Sequence, residues 1–284
     1  MSYSIFAKRA FVNTSHKQDY DPARKVRHGH LQRVSSIIRA DQIAERLPAR
    51  LNPEQVNGDV CIYVKPHVKH GEPFKFAERA YLDIVDGWRL TPLMHDNPRV
   101  PIIACSQSDY AKLKSVMRNP LYLIPQHHCN FERAARVRHH VTVVGCIGEE
   151  RAFAHLPMGL ESELAERGVR LECYSKFFTR HDVADFYQRI DVQIIWRPYR
   201  MQLSNPLKIV NAAAFGVPTI AYREDVFREL EGAYIPVNDL GEFLHHLDRL
   251  RGSLNLYLEL AGNGLLAAEA YHIDNICKLY RELQ

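Results

Sequence analysis

The stretch from Leu203 to Ala221, LSNPLKIVNAAAFGVPTIA, combines a cationic side chain with the start of a predicted helix. Ser204 is a favourable N-cap residue, so we predict a helix that begins near Asn205 and ends before Gly216. The unpaired N–H groups at such a helix start carry partial positive charge, and Lys208 adds a full positive charge within the first turn and a half. This arrangement is suited to binding a phosphate group. An ordinary capped helix with one solvated lysine is the alternative interpretation.

Two further charged residues follow predicted strands. Arg197 comes two residues after the segment Val192–Ile195, and ligands of open α/β sheets bind at the carboxyl ends of strands. We therefore expect Arg197 to assist in charge stabilisation; a surface salt bridge is the alternative. Asp86 stands at the turn after the segment Tyr81–Val85, where a carboxylate could accept a proton from a reacting hydroxyl group. The alternative for Asp86 is capping of a loop or a helix.

The loop Ser175–Thr179 places two aromatic residues directly after another predicted strand. Phe177 and Phe178 could stack on a flat ligand or form an apolar wall beside it. Burial in the core is the alternative for both.

Three histidine pairs and one D-x-D sequence raise the question of a metal site. These are His127–His128, His139–His140, His245–His246 and Asp19-Tyr20-Asp21. Adjacent residues on a regular element point apart, and no set of partners has the spacing of a zinc site. We therefore predict no metal.

Strands and helices alternate along most of the chain, which predicts parallel sheets. The elements predicted in the first part are Ser4–Val12 (strand), His30–Leu47 (helix), Val60–Val64, Tyr81–Val85 and Ile102–Cys105 (strands), Gln107–Met117 (helix) and Leu121–Ile124 (strand). Asn130–His140 is polar and arginine-rich, which indicates a linker. The elements predicted beyond it are strands at Val141–Ile147, Val169–Tyr174, Val192–Ile195 and Val217–Ala221, and helices at Leu160–Arg167, Val183–Ile190 and from Leu240 onwards.

The composition is that of an ordinary soluble globular protein. The 284 residues can bury a substantial core, and 46% are hydrophobic and 25% charged. No apolar run is long enough to span a membrane and the N-terminus lacks a signal-peptide core, so we expect a cytoplasmic protein, either free or peripheral at the membrane. The six cysteines include no C-x-x-C pair, which indicates reduced thiols. The formal charge of +4 could attract nucleic acid, anionic lipid or phosphorylated sugars, but a solvated surface that steers phosphate groups is the favoured interpretation.

The first stretch resembles the donor-binding signature of GT-B-fold glycosyltransferases, especially the bacterial group 1 (family 4-like) enzymes. Many of these read S-N-P-x-K-x-x-E, followed by small residues, G-x-P and an apolar strand. The matching residues here are Ser204, Asn205, Pro206, Lys208, Gly216 and Pro218. The passages IIACSQSDYAKLK and LYLIPQHH also resemble the end of the family's N-terminal domain, and the segment from Tyr81 to Trp88 resembles a D-x-x-D-x-W segment of some relatives.

The resemblance implies an α/β protein with two Rossmann-like domains whose parallel sheets face each other across a cleft. Residues 1–130 would form the acceptor-side domain and residues 141–272 the nucleotide-sugar-binding domain. The last helix, residues 273–284, would cross back and pack on the first domain.

The resemblance also implies a metal-independent, hexosyltransferase-like glycosyltransferase. It would move a sugar from a nucleotide-diphosphate sugar, a substrate rather than a cofactor, to a sugar, a lipid-linked group or another hydroxyl acceptor; a nucleic-acid acceptor is less favoured. The implied catalytic residues are Asp86, Lys208 and Arg197. The implied donor-binding residues are Ser204, Asn205, Asn211, Gly145 and Phe178, the last of these in the loop where relatives hold the nucleotide base.

Two positions depart from the family pattern. The usual glutamate, which in relatives binds the donor ribose, is Asn211 here, and its usual partner eight residues earlier is Leu203. An asparagine can still hydrogen-bond a hydroxyl group, but the anionic acceptor is lost. Two alternatives therefore stay open: a nucleotide-sugar 2-epimerase of the same architecture, and a non-catalytic protein that binds a nucleotide sugar or nucleic acid.

Overall fold

A computed structural model of the chain describes residues 2–13, 20–21, 26–27, 30–68, 73–136 and 138–284. Within these residues, the two larger β-sheets each contain only parallel strand pairs, and each belongs to one half of the chain. This is the predicted α/β arrangement of two Rossmann-like units. No helix among the described residues is both long enough and apolar enough to cross a bilayer.

The N-terminal half is built on a parallel sheet. Its described strands are β1 (Tyr3–Phe6), β2 (Phe11–Asn13), β3 (Tyr20–Asp21), β4 (Val26–Arg27), β5 (His30–Gln32), β6 (Arg50–Leu51), β7 (Val60–Val64), β8 (Ala80–Asp83), β9 (Ile102–Ala104) and β10 (Leu121–Leu123). The parallel sheet has the order β10-β9-β8-β7-β1-β6, while β2 with β5 and β3 with β4 form short antiparallel pairs. Every residue of the central strand β7, VCIYV, is buried, as expected for a parallel strand covered on both faces.

Short helical segments connect these strands. They are α1 (Val34–Ser36), a π-helical turn (Ile37–Asp41), α2 (Gln42–Arg46), a 3-10 turn (Trp88–Leu90), α3 (Thr91–Asp96) and α4 (Gln107–Val116).

The C-terminal half repeats the plan with a second parallel sheet. Its strands are β11 (Val143–Ile147), β12 (Arg170–Tyr174), β13 (Val192–Ile195), β14 (Thr219–Tyr222) and β15 (Ile235–Val237), in the order β12-β11-β13-β14-β15. Its helical segments are α5 (Glu150–Phe153), α6 (Leu160–Glu166), α7 (Arg180–Arg189), α8 (Leu207–Ala214), a 3-10 turn (Asp225–Leu230), α9 (Leu240–Gly252) and α10 (Leu254–Glu269).

The last helix, α11 (Ile273–Arg281), packs on the N-terminal half. Its apolar residues recur at helical spacing, and Ile276 and Tyr280 join the core that contains Ile5 and Ile62. The predicted crossing of the C-terminal helix is therefore confirmed.

Two predictions near the N-terminus are wrong. The strand predicted over Ser4–Val12 ends at Phe6, and a separate strand, β2, pairs with β5 instead of joining the main sheet. The helix predicted from His30 begins only at Val34, because residues 30–32 are engaged in that strand pair. Apolar spacing in this segment fits both a helix and a short strand, and pairing with β2 decides between them.

Candidate active site

A cavity of about 430 Å³, the large cavity, lies between the two halves of the molecule. This volume is typical of a site for a small organic ligand. The N-terminal half contributes Arg33, Lys65 and Asp86 to its lining; the C-terminal half contributes Trp196, Arg197, Tyr199, Ser204, Asn205 and Lys208. The structure therefore brings five of the predicted site residues together: Asp86, Arg197, Ser204, Asn205 and Lys208.

A smaller cavity of about 160 Å³, the side cavity, adjoins the same helix start. Phe177, Phe178 and Asn211 line it, together with Ile38 from the other half. The backbone N–H of Phe178 donates to the Asp182 carboxylate at 2.8 Å, which fixes this loop to the start of α7. The predicted aromatic wall therefore faces a cavity, although Phe177 also packs against the core.

Lys208 lines both cavities. A Cβ atom added to Gly148 would lie 2.9 Å from Lys208 Nζ, so the amine rests against the backbone that follows β11. Burial lowers the pKa of the Lys208 amine from its usual value, because desolvation disfavours the charged form. A bound anion would counteract that effect, so this position suits a phosphate group.

The start of helix α8 differs from the prediction. The helix begins at Leu207, with Pro206 at the N-cap position and no side-chain cap. Ser204 lies two residues before the N-cap, so its hydroxyl does not cap the helix and instead accepts a hydrogen bond from Arg197 Nη2 at 2.7 Å. Asn205 Oδ1 accepts from the N–H of Leu207 at 3.1 Å.

Arg197 forms a two-pronged ion pair with Glu224. Arg197 Nε lies 3.0 and 2.9 Å from the two carboxylate oxygens, and Nη2 donates to the same group. Burial raises the pKa of the Glu224 carboxyl, and Arg197 acts against that shift. Arg197 therefore does form a salt bridge, but it lines the large cavity rather than the outer surface.

Asp86 pairs with a lysine from the neighbouring strand end. Lys65 Nζ donates to Asp86 Oδ1 at 2.5 Å, and both residues line the large cavity. Val85, directly before Asp86, has a φ of 53°, which is a genuine outlier for a β-branched residue. Such backbone strain costs on the order of 1–3 kcal/mol and is concentrated at functional sites. It supports the assignment of Asp86 to the site.

Asp83, the first carboxylate of the D-x-x-D segment, is structural. Asp83 and Arg39 are both fully buried, and Arg39 Nε donates to Asp83 Oδ2 at 2.7 Å. The hydroxyl of Tyr280 donates to the same oxygen at 3.2 Å, and Arg39 Nη1 donates to the carbonyl of Pro125 at 2.7 Å. This network joins the π-helical turn, β8 and α11.

Asn211 and Leu203, the positions that depart from the family pattern, both make contacts across the two halves. Asn211 is buried, and its Oδ1 accepts a hydrogen bond from the N–H of Cys129 at 2.8 Å. Leu203 is buried in the core of the N-terminal half beside Leu82 and Leu113. The Asn211 amide oxygen, which could bind a ribose hydroxyl, is therefore already engaged by the backbone.

Gly145 does not line either cavity. It lies in the middle of β11, and a Cβ atom there would clash with Ile190 and approach Phe186 to 2.8 Å. A glycine is needed at this position because α7 packs closely on the sheet. The glycine beside Lys208 is Gly148, three residues further on.

The histidine pairs do not form a metal site in the described part of the chain, where no group of three or more His, Cys, Asp or Glu residues could hold an ion. The ring nitrogens of His127 lie 3.1 and 2.9 Å from the carbonyl oxygens of His128 and Ile38. Asp19 of the D-x-D sequence lies outside the described residues.

Three further residues were not predicted: Lys65 lines the large cavity, Gly148 lines the side cavity, and Glu224 pairs with Arg197. A signal for two of them exists in the sequence. Glu224 stands two residues after β14, as Arg197 stands two residues after the neighbouring β13, and Lys65 directly follows β7, the neighbour of β8. Parallel neighbours end at the same sheet edge, so strand ends considered in pairs would have placed these residues together.

No protein-family model matches the chain, and no curated protein matches it. Solved structures do match the chain. A variant of Staphylococcus aureus TarM in complex with fondaparinux, alpha-GlcNAc-glycerol and UDP matches with a TM-score of 0.52 and 10% identity over 72% of this chain and 50% of that chain. Anabaena HepE in complex with UDP and glucose matches with a TM-score of 0.52 and 13% identity, covering 72% and 70%. The N-terminal domain of Candida albicans trehalose-6-phosphate phosphatase matches with a TM-score of 0.53 and 10% identity, covering 80% and 70%.

The chain spans about half the length of the TarM chain that it matches. At these identities the likeness shows the fold. Two parallel sheets, a cleft between them lined from both halves, and a last helix that returns to the first half agree with that likeness. The chain therefore has the GT-B fold that its signature resemblance implied.

Proposed function

We propose that the protein is a glycosyltransferase that moves a sugar from a nucleotide-diphosphate sugar to a hydroxyl acceptor. The observation that carries this proposal is the position of Lys208, which lines both cavities and rests against Gly148. A cation at the junction of two cavities suits a diphosphate whose nucleoside lies on one side and whose sugar lies on the other.

In this proposal the nucleoside occupies the side cavity, against Phe178. The sugar and the acceptor occupy the large cavity. TarM and HepE, which share the fold, have been crystallised with UDP, so UDP is the first nucleotide to test.

Negative charge grows on the diphosphate as the bond to the sugar breaks. The Lys208 amine and the positive end of the α8 helix dipole would stabilise that charge, and because they are already in place they need not reorganise during the reaction. The proposed transfer is metal-independent.

On the acceptor side, we propose that Asp86 takes the proton of the attacking hydroxyl group. Two features support this role: Asp86 lines the large cavity, and the backbone of the preceding residue, Val85, is strained. Arg197 is neutralised by Glu224, so we assign it a hydrogen-bonding role in the cavity wall rather than that of a free cation. A sugar, a lipid-linked group or another hydroxyl compound could serve as acceptor.

We also propose domain limits at residues 1–130 and 141–272. The last strand of the first sheet ends at Leu123 and the first strand of the second begins at Val143, which supports a boundary between them. A cytoplasmic location is proposed from the sequence.

A second candidate function is binding of a nucleotide sugar without turnover. It is favoured by Leu203 and Asn211, since both positions are used in contacts between the halves and neither supplies a carboxylate.

The test of the proposed function is titration of the protein with UDP, followed by a measurement of UDP-sugar consumption. Ligand at a hundred times its dissociation constant should stabilise the fold by about 2.7 kcal/mol, which a thermal-shift measurement detects. Binding with slow release of UDP from a UDP-sugar would support the transferase, and binding without any consumption would favour the second candidate. Absence of binding by any nucleoside diphosphate would refute both.

A further inference from the structure

Helix α4 begins with the sequence Ser106-x-x-Asp109, which normally forms a capping box within one helix. The first half of the box is present, because Ser106 Oγ accepts from the N–H of Asp109 at 3.1 Å. The carboxylate, however, is directed to the other half of the molecule. Asp109 accepts a hydrogen bond from the N–H of Ser204, with its two oxygens at 3.0 and 3.2 Å.

The contact is reciprocal. The N–H of Gln107, at the start of α4, donates to Glu229 Oε2 of the C-terminal half at 2.7 Å. The Ser106 hydroxyl donates to the carbonyl of Ser204 at 2.9 Å. The backbone N–H and the backbone carbonyl of Ser204 therefore both bind residues of the N-terminal half. We call the four residues Ser106, Asp109, Ser204 and Glu229 the interface clasp.

Neighbouring contacts hold the same loop. Leu203 is buried in the core of the N-terminal half, and Lys112 Nζ donates to the carbonyl of Gln202 at 2.8 Å. The residues directly before the signature helix are therefore packed into the opposite half.

The clasp reaches the candidate active site directly, because Ser204 itself lines the large cavity. The Ser204 hydroxyl accepts from Arg197 Nη2, and Arg197 lies in the wall of the large cavity. We propose that Asp109 and Ser106 are positioning residues, which hold Ser204 and, through it, Arg197, so that the donor site is complete only while the two halves are in contact.

This inference rests on the proposed function for its effect on ligand binding, but not for its effect on the loop. The variant Asp109→Ala removes the carboxylate, and Asp109→Asn keeps an oxygen that can accept from Ser204. The matched control is Asp239→Ala, which removes the N-cap of α9. Asp239 Oδ1 accepts a hydrogen bond from the N–H of Glu242 at 2.8 Å, and Asp239 lines neither cavity. Two readouts are needed: amide hydrogen exchange over residues 201–205, and affinity for UDP by calorimetry.

We expect Asp109→Ala to accelerate exchange of the Ser204 amide and to weaken UDP binding, each by about tenfold or more, because the Ser204 N–H loses its acceptor. Asp109→Asn should stay within about threefold of the wild type, and Asp239→Ala should leave both readouts unchanged. Unchanged exchange at Ser204 in Asp109→Ala would overturn the inference. Faster exchange with unchanged UDP affinity would overturn it as well, because the clasp would then not position the site.

If the wild type binds no UDP, the proposed function fails separately. The clasp is then judged by exchange alone: acceleration over residues 197–205 in Asp109→Ala supports it, and its absence overturns it.

Discussion

Lys208 Nζ occupies the space that a side chain on Gly148 would need, since a Cβ atom built there lies 2.9 Å from the amine. The cation of the signature helix is thus fitted against the backbone that follows β11. This relationship joins two segments 60 residues apart in sequence (208 minus 148) and fixes where an anion could be held.

We expect Gly148→Ala to displace Lys208 and to weaken UDP binding by about tenfold or more, because the new methyl group would lie too close to the amine and Gly148 has a φ of 156°. The control is Gly168→Ala, where φ is 66° and nothing lies within 4 Å of an added Cβ. Calorimetric titration with UDP tests both variants. Equal affinities in the two variants would show that Lys208 does not depend on Gly148.

We expect Lys208→Ala to reduce donor binding and turnover far more than it reduces folding stability. Removal of the amine should cost the unliganded protein little stability, because burial lowers the pKa of Lys208 and disfavours its charged form. The free energy of unfolding measured in urea should change by less than about 1 kcal/mol, while the affinity for UDP falls. Lys114→Ala, at an exposed position, is the control. Wild-type affinity in folded Lys208→Ala would remove this residue from the site.

The two carboxylates of the D-x-x-D segment should respond differently to substitution. Asp83→Ala leaves Arg39 charged and buried, so we expect a loss of roughly 3–5 kcal/mol of unfolding free energy. Asp86→Ala removes a half-exposed group paired with Lys65 and should change stability by less than about 1 kcal/mol while reducing transfer. Chemical denaturation of both variants, with a kinetic assay of the second, tests the division. Similar stability losses would contradict it.

Asn211 should contribute to stability as well as to binding. Asn211→Ala leaves the half-buried N–H of Cys129 without its acceptor, which costs about 1–3 kcal/mol. Asn211→Asp keeps the acceptor oxygen and should retain most of that stability. Denaturation curves of the two variants decide the matter, and equal destabilisation by both would mean that the Cys129 contact is not the cause.

Asp109 should make stability depend on pH. Burial raises the pKa of the Asp109 carboxyl to about 7, so the folded protein keeps a proton there that the unfolded chain has already released. Stability from this residue is therefore fully present below about pH 4 and declines as the pH rises towards 7. Nearby Glu229 adds a shift of the same sign, and Lys112 acts against it.

Asp109→Asn does not titrate, so its unfolding free energy should fall less than that of the wild type between pH 4 and pH 8. At pH 8 we expect the variant to be the more stable by about 1–3 kcal/mol. Parallel stability curves for the two proteins would show that Asp109 does not titrate in this range.

The sequence by itself determined the elements whose pattern is local and strong. β7 and β13 have the predicted bounds, because short apolar runs in an α/β pattern favour buried strands. The crossing of α11 to the first half was implied only by the resemblance to GT-B-fold glycosyltransferases. The helical pattern of α11 itself, and the cation near a helix start at Lys208, were predicted from neighbouring residues. These features depend on residues close together in the chain.

Only the tertiary structure decided which side chains reach the site and which hold the halves together. Thr179-x-x-Asp182 and Ser106-x-x-Asp109 have the same local pattern, yet Asp182 accepts from its own N-cap at 2.8 Å and Asp109 accepts from Ser204 in the other half. Local sequence determines that a carboxylate stands at the start of a helix. Which N–H group it binds depends on what the other half brings within 3 Å, and no spacing along the chain encodes that.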